Sequence, residues 1–318
     1  MAEAKLKNDT KTSVEGRELI VTRIFHAPRE LVFKAWTDPE HVPQWWGPSG
    51  FTITTKEIEI KPGGVWHYVM HGPDGTDYDN KITFREIESP ERLVYSHGDS
   101  KEEHFQVTVT FADQGTKTEL TMKMRFNSAE ELERTVKEFG AIEGAQSTLG
   151  RLENQLPKIT YTRAEHTDLI VERIFDAPKS LVFEAFSKAE HLERWFGVEG
   201  WTLPVCNIDF RPGGVWHYCM QSPDGKIKSW GKAVYQEIVE PEQIVYVDYF
   251  SDEEGNIAEE MPAAQITMTF EEQEGKTLLL SRTRYDSPEN LKKVIDMGVI
   301  AGITQTWNRL AQFLGELK

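Results

Sequence analysis

Cysteine is scarce: 318 residues hold two. Two thiols cannot build a disulfide framework in a chain this long, so a reducing, cytoplasmic setting is expected. Long apolar runs are missing as well. No stretch approaches the ~20 residues that a membrane span requires. The opening MAEAKLKNDTKTSVEGRE has no apolar core, which argues against a secretory signal, and residues 1–16 are expected to form a polar tail. Positive charge is in short supply: 36 Lys and Arg face 52 Asp and Glu, for a net charge of −16. Such a surface repels phosphate backbones and excludes nucleic acid as a partner. The acidity serves solubility, or docks a basic protein surface. No P-loop, dinucleotide fingerprint or Ser-His-Asp order is present. Of the nine histidines, those that recur, His41 with His191 and His67 with His217, are each isolated from Cys, Asp or Glu at ligand spacing, so no metal and no cofactor is expected.

What is present is present twice. ELIVTRIFHAPRELVFKAW (Glu18 to Trp36) returns as DLIVERIFDAPKSLVFEAF (Asp168 to Phe186). KPGGVWHYVMHGPDG (Lys61 to Gly75) returns as RPGGVWHYCMQSPDG (Arg211 to Gly225). Both pairs sit 150 residues apart, the size of a small domain and far beyond a solenoid unit. The expected organisation is a tail over 1–16, a domain over 17–156, a linker over 157–167 and a second domain over 168–318.

Each half runs through the same elements. A strand ends at Ala27-Pro28 or Ala177-Pro178, where proline suits a first helical turn. A helix follows, with Leu31, Val32, Ala35 and Trp36 at helical spacing, and then a second short helix ends at Trp45-Trp46-Gly47. About six strands come next, punctuated by turn signals such as Pro62-Gly63-Gly64 and Pro73-Asp74-Gly75. Each half closes with one long helix. Ser128 to Glu131 reads as a capping box, and Ser287-Pro288-Glu289 as a helix start. The apolar stripes are Leu132, Val136, Phe139, Ile142, Leu149, Leu152 and Leu156, then Leu291, Ile295, Ile300, Ile303, Trp307, Leu310 and Leu314. Gly140 and Gly144, like Gly298 and Gly302, sit inside these helices at a cost of roughly 0.5–1 kcal/mol each, which points to a bend or a close approach. Strands followed by a helix mean α+β. A curved antiparallel sheet around one helix leaves a cavity unless large side chains fill it.

Around Pro62-Gly63-Gly64, only an odd-length loop sets Trp66 opposite Ile58 and keeps Glu57 and Glu59 in water. That register turns Trp66, Tyr68 and Met70 inward, with Trp216, Tyr218 and Met220 as their copies. It places Cys206 inside and Cys219 outside, too divergent for a disulfide. His67 and His217 fall on the outer face, and His41 and His191 recur on the short helix. The candidate ligand-binding residues are Trp45, Trp66, Tyr68, Met70, Trp195, Trp216, Tyr218, Met220 and Trp230, because aromatic walls with few polar anchors are the common form of a small-molecule site. Core packing accounts for Trp36 and Phe186. No catalytic residue is nominated: a cyclase or hydrolase would need a buried His, Asp or Glu facing the cavity, and none recurs in both copies.

IFHAPRELVFKAW, WWGPSGF, KPGGVWHYVM and PDG, with RIFDAPKSLVFEAF, RWFGVEGW, RPGGVWHYCM and EPEQIVY, resemble the activator-of-heat-shock-protein-90-ATPase-like family of the START-like, or SRPBCC, helix-grip superfamily. The resemblance implies two helix-grip domains, each a curved antiparallel sheet gripping a long C-terminal helix over an apolar cavity. Asn80 or Lys81 stands where the second copy has Gly231. Relatives in the superfamily bind lipids, sterols or polyketides, and some are cyclases or hydrolases. The first expectation is therefore non-catalytic binding of a small hydrophobic ligand in each half. The alternatives are a co-chaperone-like interaction protein acting on a heat-shock ATPase in stress response, and a cyclase- or hydrolase-type enzyme. A monomer that is an internal pseudo-dimer, or a weak homo-oligomer, fits the duplication.

Overall fold

In the computed structural model, which describes residues 10–317, the chain divides into two compact units between Ile159 and Thr160. The first contains β1 (Lys11–Glu15), β2 (Glu18–Phe25), α1 (Arg29–Thr37), α2 (Val42–Trp45), β3 (Thr52–Ile58), β4 (Val65–His71), β5 (Asp77–Glu88), β6 (Arg92–Gly98), β7 (Glu103–Asp113), β8 (Thr118–Phe126), α3 (Ala129–Phe139) and α4 (Ala141–Gln155). The second contains β9 (Tyr161–Glu165), β10 (Asp168–Phe175), α5 (Lys179–Ala185), α6 (Ala189–Trp195), β11 (Thr202–Ile208), β12 (Val215–Gln221), β13 (Lys228–Val239), β14 (Gln243–Phe250), β15 (Ala264–Gln273), β16 (Lys276–Tyr285), α7 (Pro288–Asp296) and α8 (Val299–Glu316). The fold is α+β: two tandem helix-grip domains, each with an eight-stranded antiparallel sheet followed by helices. The sheet orders are β1-β2-β8-β7-β6-β5-β4-β3 and β11-β12-β13-β14-β15-β16-β10-β9.

Parts of the expected tail and linker are strand instead. Lys11–Glu15 pairs with β2, and Tyr161–Glu165 pairs with β10. Residues 1–9 of that tail lie outside the described residues. Neither edge strand carries a buried stripe, because backbone hydrogen bonds hold it and its side chains stay largely in water.

The single long helix expected in each half is two. Gly140 (φ 58°) separates α3 from α4, and Gly298 (φ 88°) separates α7 from α8. These left-handed values favour glycine and end a helix. The second glycine of each pair faces the loop after the short helix at ordinary contact distance and would admit a methyl. A Cβ on Gly144 would lie 3.7 Å from Pro48 Cγ, and one on Gly302 would lie 3.6 Å from Val198 Cγ1. At the break the apolar stripe turns outward: Phe139 is 69% exposed and Ile300 37%. Ser128 Oγ caps α3 and Ser287 Oγ caps α7, each accepting a backbone N–H.

The hairpin register follows the hydrophobic pattern. Ile58 pairs with Trp66 and Ile208 with Trp216, so the indoles enter the core and the glutamates stay outside. Buried Leu149 and Leu152 on α4, and Trp307, Leu310, Phe313 and Leu314 on α8, complete the two cores.

Candidate inner-face site

In the first domain, β4 supplies Trp66, Tyr68 and Met70 at alternate positions on one face. Trp66 and Tyr68 are buried and stack at 4.4 Å, while Met70 is half-buried. Trp46, at the end of α2, meets Trp66 edge-on at 5.5 Å and donates its indole N–H to Tyr68 Oη at 2.7 Å. Tyr68 Oη also lies 3.3 Å from His97 Nε2, on β6. An indole can only donate, so the phenol oxygen accepts from Trp46, and either its own hydrogen or an imidazole Nε2–H bridges Tyr68 and His97. His97 Nδ1 is buried with no hydrogen-bond partner among the described residues. Burial pulls the His97 pKa down to about 4, so the ring stays neutral at ordinary pH.

The second domain repeats the frame with different chemistry. Trp216 and Tyr218 stack at 4.4 Å, and Phe196 meets them at 4.7 and 5.2 Å. Phe196 has no N–H to offer, so Tyr218 Oη turns to Asp248 on β14, at 3.3 and 3.4 Å from its two oxygens. Asp248 occupies the same place as His97. His97 pairs across β6 with Ile82, the partner of Trp66; Asp248 pairs with Ala233, the partner of Trp216. Burial pushes the Asp248 carboxyl up to about 7, against the smaller opposing effect of the Tyr218 hydrogen bond. Gly231 stands opposite Tyr218, where the first domain has Asn80. A Cβ on Gly231 would fall 2.3 Å from Tyr218 Cζ, so the ring lies flat on this glycine.

The floor around Asp248 is also more polar than its counterpart. By strand register, Tyr235, Tyr285, Thr283 and Ser281 take the places of Phe84, Phe126, Met124 and Met122. The hydroxyls of Tyr235, Tyr246 and Tyr285, and of Tyr95 in the first domain, have no hydrogen-bond partner among the described residues. None of the four is sealed by neighbouring atoms, although Tyr95, Tyr235 and Tyr285 are buried and Tyr246 is half-buried. Burial raises the pKa of each of the three in the second domain, that of Tyr285 to about 12.

Among the sequence candidates, Trp66, Tyr68 and Met70 come together, as do Trp216, Tyr218 and Met220. Trp45 and Trp195 do not join them. Both are at most 1% exposed, and each donates its N–H to a helix carbonyl, Ala35 O at 2.9 Å or Ala185 O at 3.0 Å. They pack the corner between the short helices, Trp45 against Trp36 and Trp46, Trp195 against Phe186 and Phe196. Trp230 lies on the opposite sheet surface: it pairs with outward Cys219 and stacks on His217 at 5.1 Å. Cys206 faces inward and Cys219 outward, both as free thiols. His67 is on the outer face with Lys56 and Asp79.

The sequence reading passed over four groups: His97, Asp248, and the arginines Arg151 and Arg309. Arg151 Nη1 donates to the carbonyls of Trp46, Gly47, Pro48 and Phe51 at 3.0–3.2 Å, and Nη2 reaches Gln44 O. Arg309 repeats this with Phe196, Gly197, Val198, Trp201 and Arg194. One guanidinium thus fastens the Trp46 or Phe196 loop to the long helix. Among the described residues no three His, Cys, Asp or Glu side chains converge on a possible metal position, and no helix is long and apolar enough to cross a membrane.

A family model described as "Activator of Hsp90 ATPase homolog 1-like protein" matches residues 26–156 and again residues 176–315. No curated protein matches the chain. Solved structures that resemble it include protein Ms6760 from Mycobacterium smegmatis, at 29% identity over 49% of this chain and 97% of that one, TM-score 0.46. A protein from Staphylococcus epidermidis matches at 32% identity over 49% and 94%, TM-score 0.43. The di-domain ARO/CYC BexL from the BE-7585A biosynthetic pathway aligns over 94% of this chain and 98% of its own at 14% identity, TM-score 0.35.

Proposed function

Because the chain belongs, in both halves, to the Activator of Hsp90 ATPase homolog 1-like family, we infer that each domain binds a small hydrophobic molecule between its sheet and its terminal helices. Trp66, Tyr68 and Met70 line the first site, and Trp216, Tyr218 and Met220 the second. The observation that carries this reading is the set of deep phenols with unpaired but open hydroxyls. A buried phenol normally finds a hydrogen-bond partner. The hydroxyls of Tyr95, Tyr235, Tyr246 and Tyr285 have none among the described residues, yet neighbouring atoms do not seal them off. Half-buried Met70 and Met220 support the reading, since inward methionines with open surface adapt to irregular apolar shapes.

Binding without chemistry fits the polar groups better than catalysis does. Acid–base catalysis duplicated with the fold would keep the same group in both copies, whereas position 97 is His and its counterpart 248 is Asp. Native mass spectrometry of the chain purified from its source tests the reading. Retention of up to two small apolar molecules per chain, released on denaturation, is expected; a bare mass together with no saturable uptake of added apolar compounds contradicts it.

A further inference from the structure

Among the described residues no positively charged group acts on the Asp248 carboxyl. The groups that act on its carboxyl are the Tyr218 hydroxyl and the Tyr249 backbone N–H. The titratable groups facing it are phenols from four strands: Tyr218 on β12, Tyr235 on β13, Tyr246 on β14 and Tyr285 on β16. The Cys206 thiol on β11 stands next to Tyr235. α7 and α8 pack apolar side chains into this core, among them Leu291, Val294, Ile295, Val299 and Ile303, and α8 also carries Arg309, whose guanidinium is held by the carbonyls of the Phe196 loop. The result is a half-buried carboxyl ringed by phenols, with only the long Tyr218 contacts and the Tyr249 backbone N–H to satisfy two oxygens. A carboxylate ionised there is short of donors, and an apolar site makes a counter-charge worth more than it would be in water. Aromatic faces favour a cation over an anion, and the open phenol oxygens add acceptors.

We propose that the inner face of the second domain takes an apolar molecule bearing a protonated amine, with Asp248 as its counter-ion and the phenols as its further acceptors. The first domain has neutral His97 at this position and selects an uncharged ligand. This rests on the ligand-binding reading above and adds the ligand's class to it. Pairing with an ammonium holds Asp248 ionised. The complex then releases a proton wherever the empty site is protonated, and the folded carboxyl titrates at about 7.

Octylamine, 1-octanol and 2-octanone titrated into the full chain, followed by tryptophan fluorescence and calorimetry, provide the test. Octylamine is expected to bind at least about tenfold more tightly at pH 8 than either neutral compound. Its affinity falls roughly tenfold from pH 8 to pH 6, while that of the neutral compounds does not change. At pH 7, calorimetry in buffers of different ionisation heat shows about half a proton released per amine bound. Asp248→Asn reduces octylamine to the level of octanol. If the variant does not fold, the proton release of the unaltered chain decides the matter alone. Equal affinity for octanol or octanone, or amine binding without proton release, overturns the amine assignment and leaves the apolar-ligand reading standing. No saturable binding of any of the three removes both.

Discussion

Replacing Asp248 with asparagine should stabilise the ligand-free second domain, and only above a defined pH. Asparagine keeps the shape and can accept the Tyr218 hydroxyl, but it carries no charge to bury. The aspartate titrates at about 7 when folded and near 3.8 when unfolded. Between those values the folded chain holds a proton that the unfolded chain has released. Stability contributed by the protonated form is therefore intact below pH 4 and is lost as pH rises toward 7. Moving the carboxyl from 3.8 to about 7 corresponds to about 4 kcal/mol, an upper figure because part of the side chain has open surface. For a domain of this size that is on the order of 10 °C in melting temperature. Calorimetric or urea unfolding of both proteins from pH 4 to pH 8 measures it. The two curves should coincide near pH 4, diverge through pH 5 to 7, and run parallel above, with Asp248→Asn the more stable. Parallel curves throughout, or a variant uniformly less stable, would refute the claim that Asp248 is an unneutralised carboxyl.

His97→Gln should give the mirror image in the first domain. A buried imidazole with its pKa lowered to about 4 resists protonation that the unfolded chain accepts near 6.5, so wild-type stability falls as pH drops through that window, by about 3 kcal/mol. The variant loses that slope, which pH-dependent unfolding shows directly. Gly231→Ala drives a methyl into the Tyr218 ring and should cost about 1–3 kcal/mol, read by urea unfolding; an unchanged midpoint would mean the ring does not rest there. Arg309→Met removes a charged donor shared by five carbonyls and should cost about 2–3 kcal/mol, with faster amide exchange in residues 194–201 and no change in the first domain.

The inner face was legible because a strand's period of two leaves no choice once Trp66 must face the core and Glu59 must not. The same reasoning placed both cysteines and His67. The edge strands Lys11–Glu15 and Tyr161–Glu165 left no such trace, since backbone pairing holds them and nothing apolar repeats. Gly140 and Gly298 were visible as anomalies, but a bend and a full break cost a sequence pattern the same residues. The polar anchors were hidden by arithmetic as well as chemistry. A one-residue insertion after Gly225 moves the internal offset from 150 to 151, as the pairing of Asn80 and Gly231 with the two tyrosines shows. Searching for a shared buried ionisable group then misses His97 and Asp248, which match in place and differ in kind. For Trp45 and Trp195 the sequence could not separate a residue that lines an opening from one that pins a helix corner, because an indole two residues ahead of a glycine reads the same in both.

A chamber under each sheet is the claim on which the rest depends, and methyl NMR of the methionines during a titration with 1-octanol tests it most directly. The Met70 and Met220 methyls should shift and saturate together, while exposed Met297 should not respond. Shifts at Met297 with none at Met70 or Met220 would place the compound on the surface and contradict the chamber.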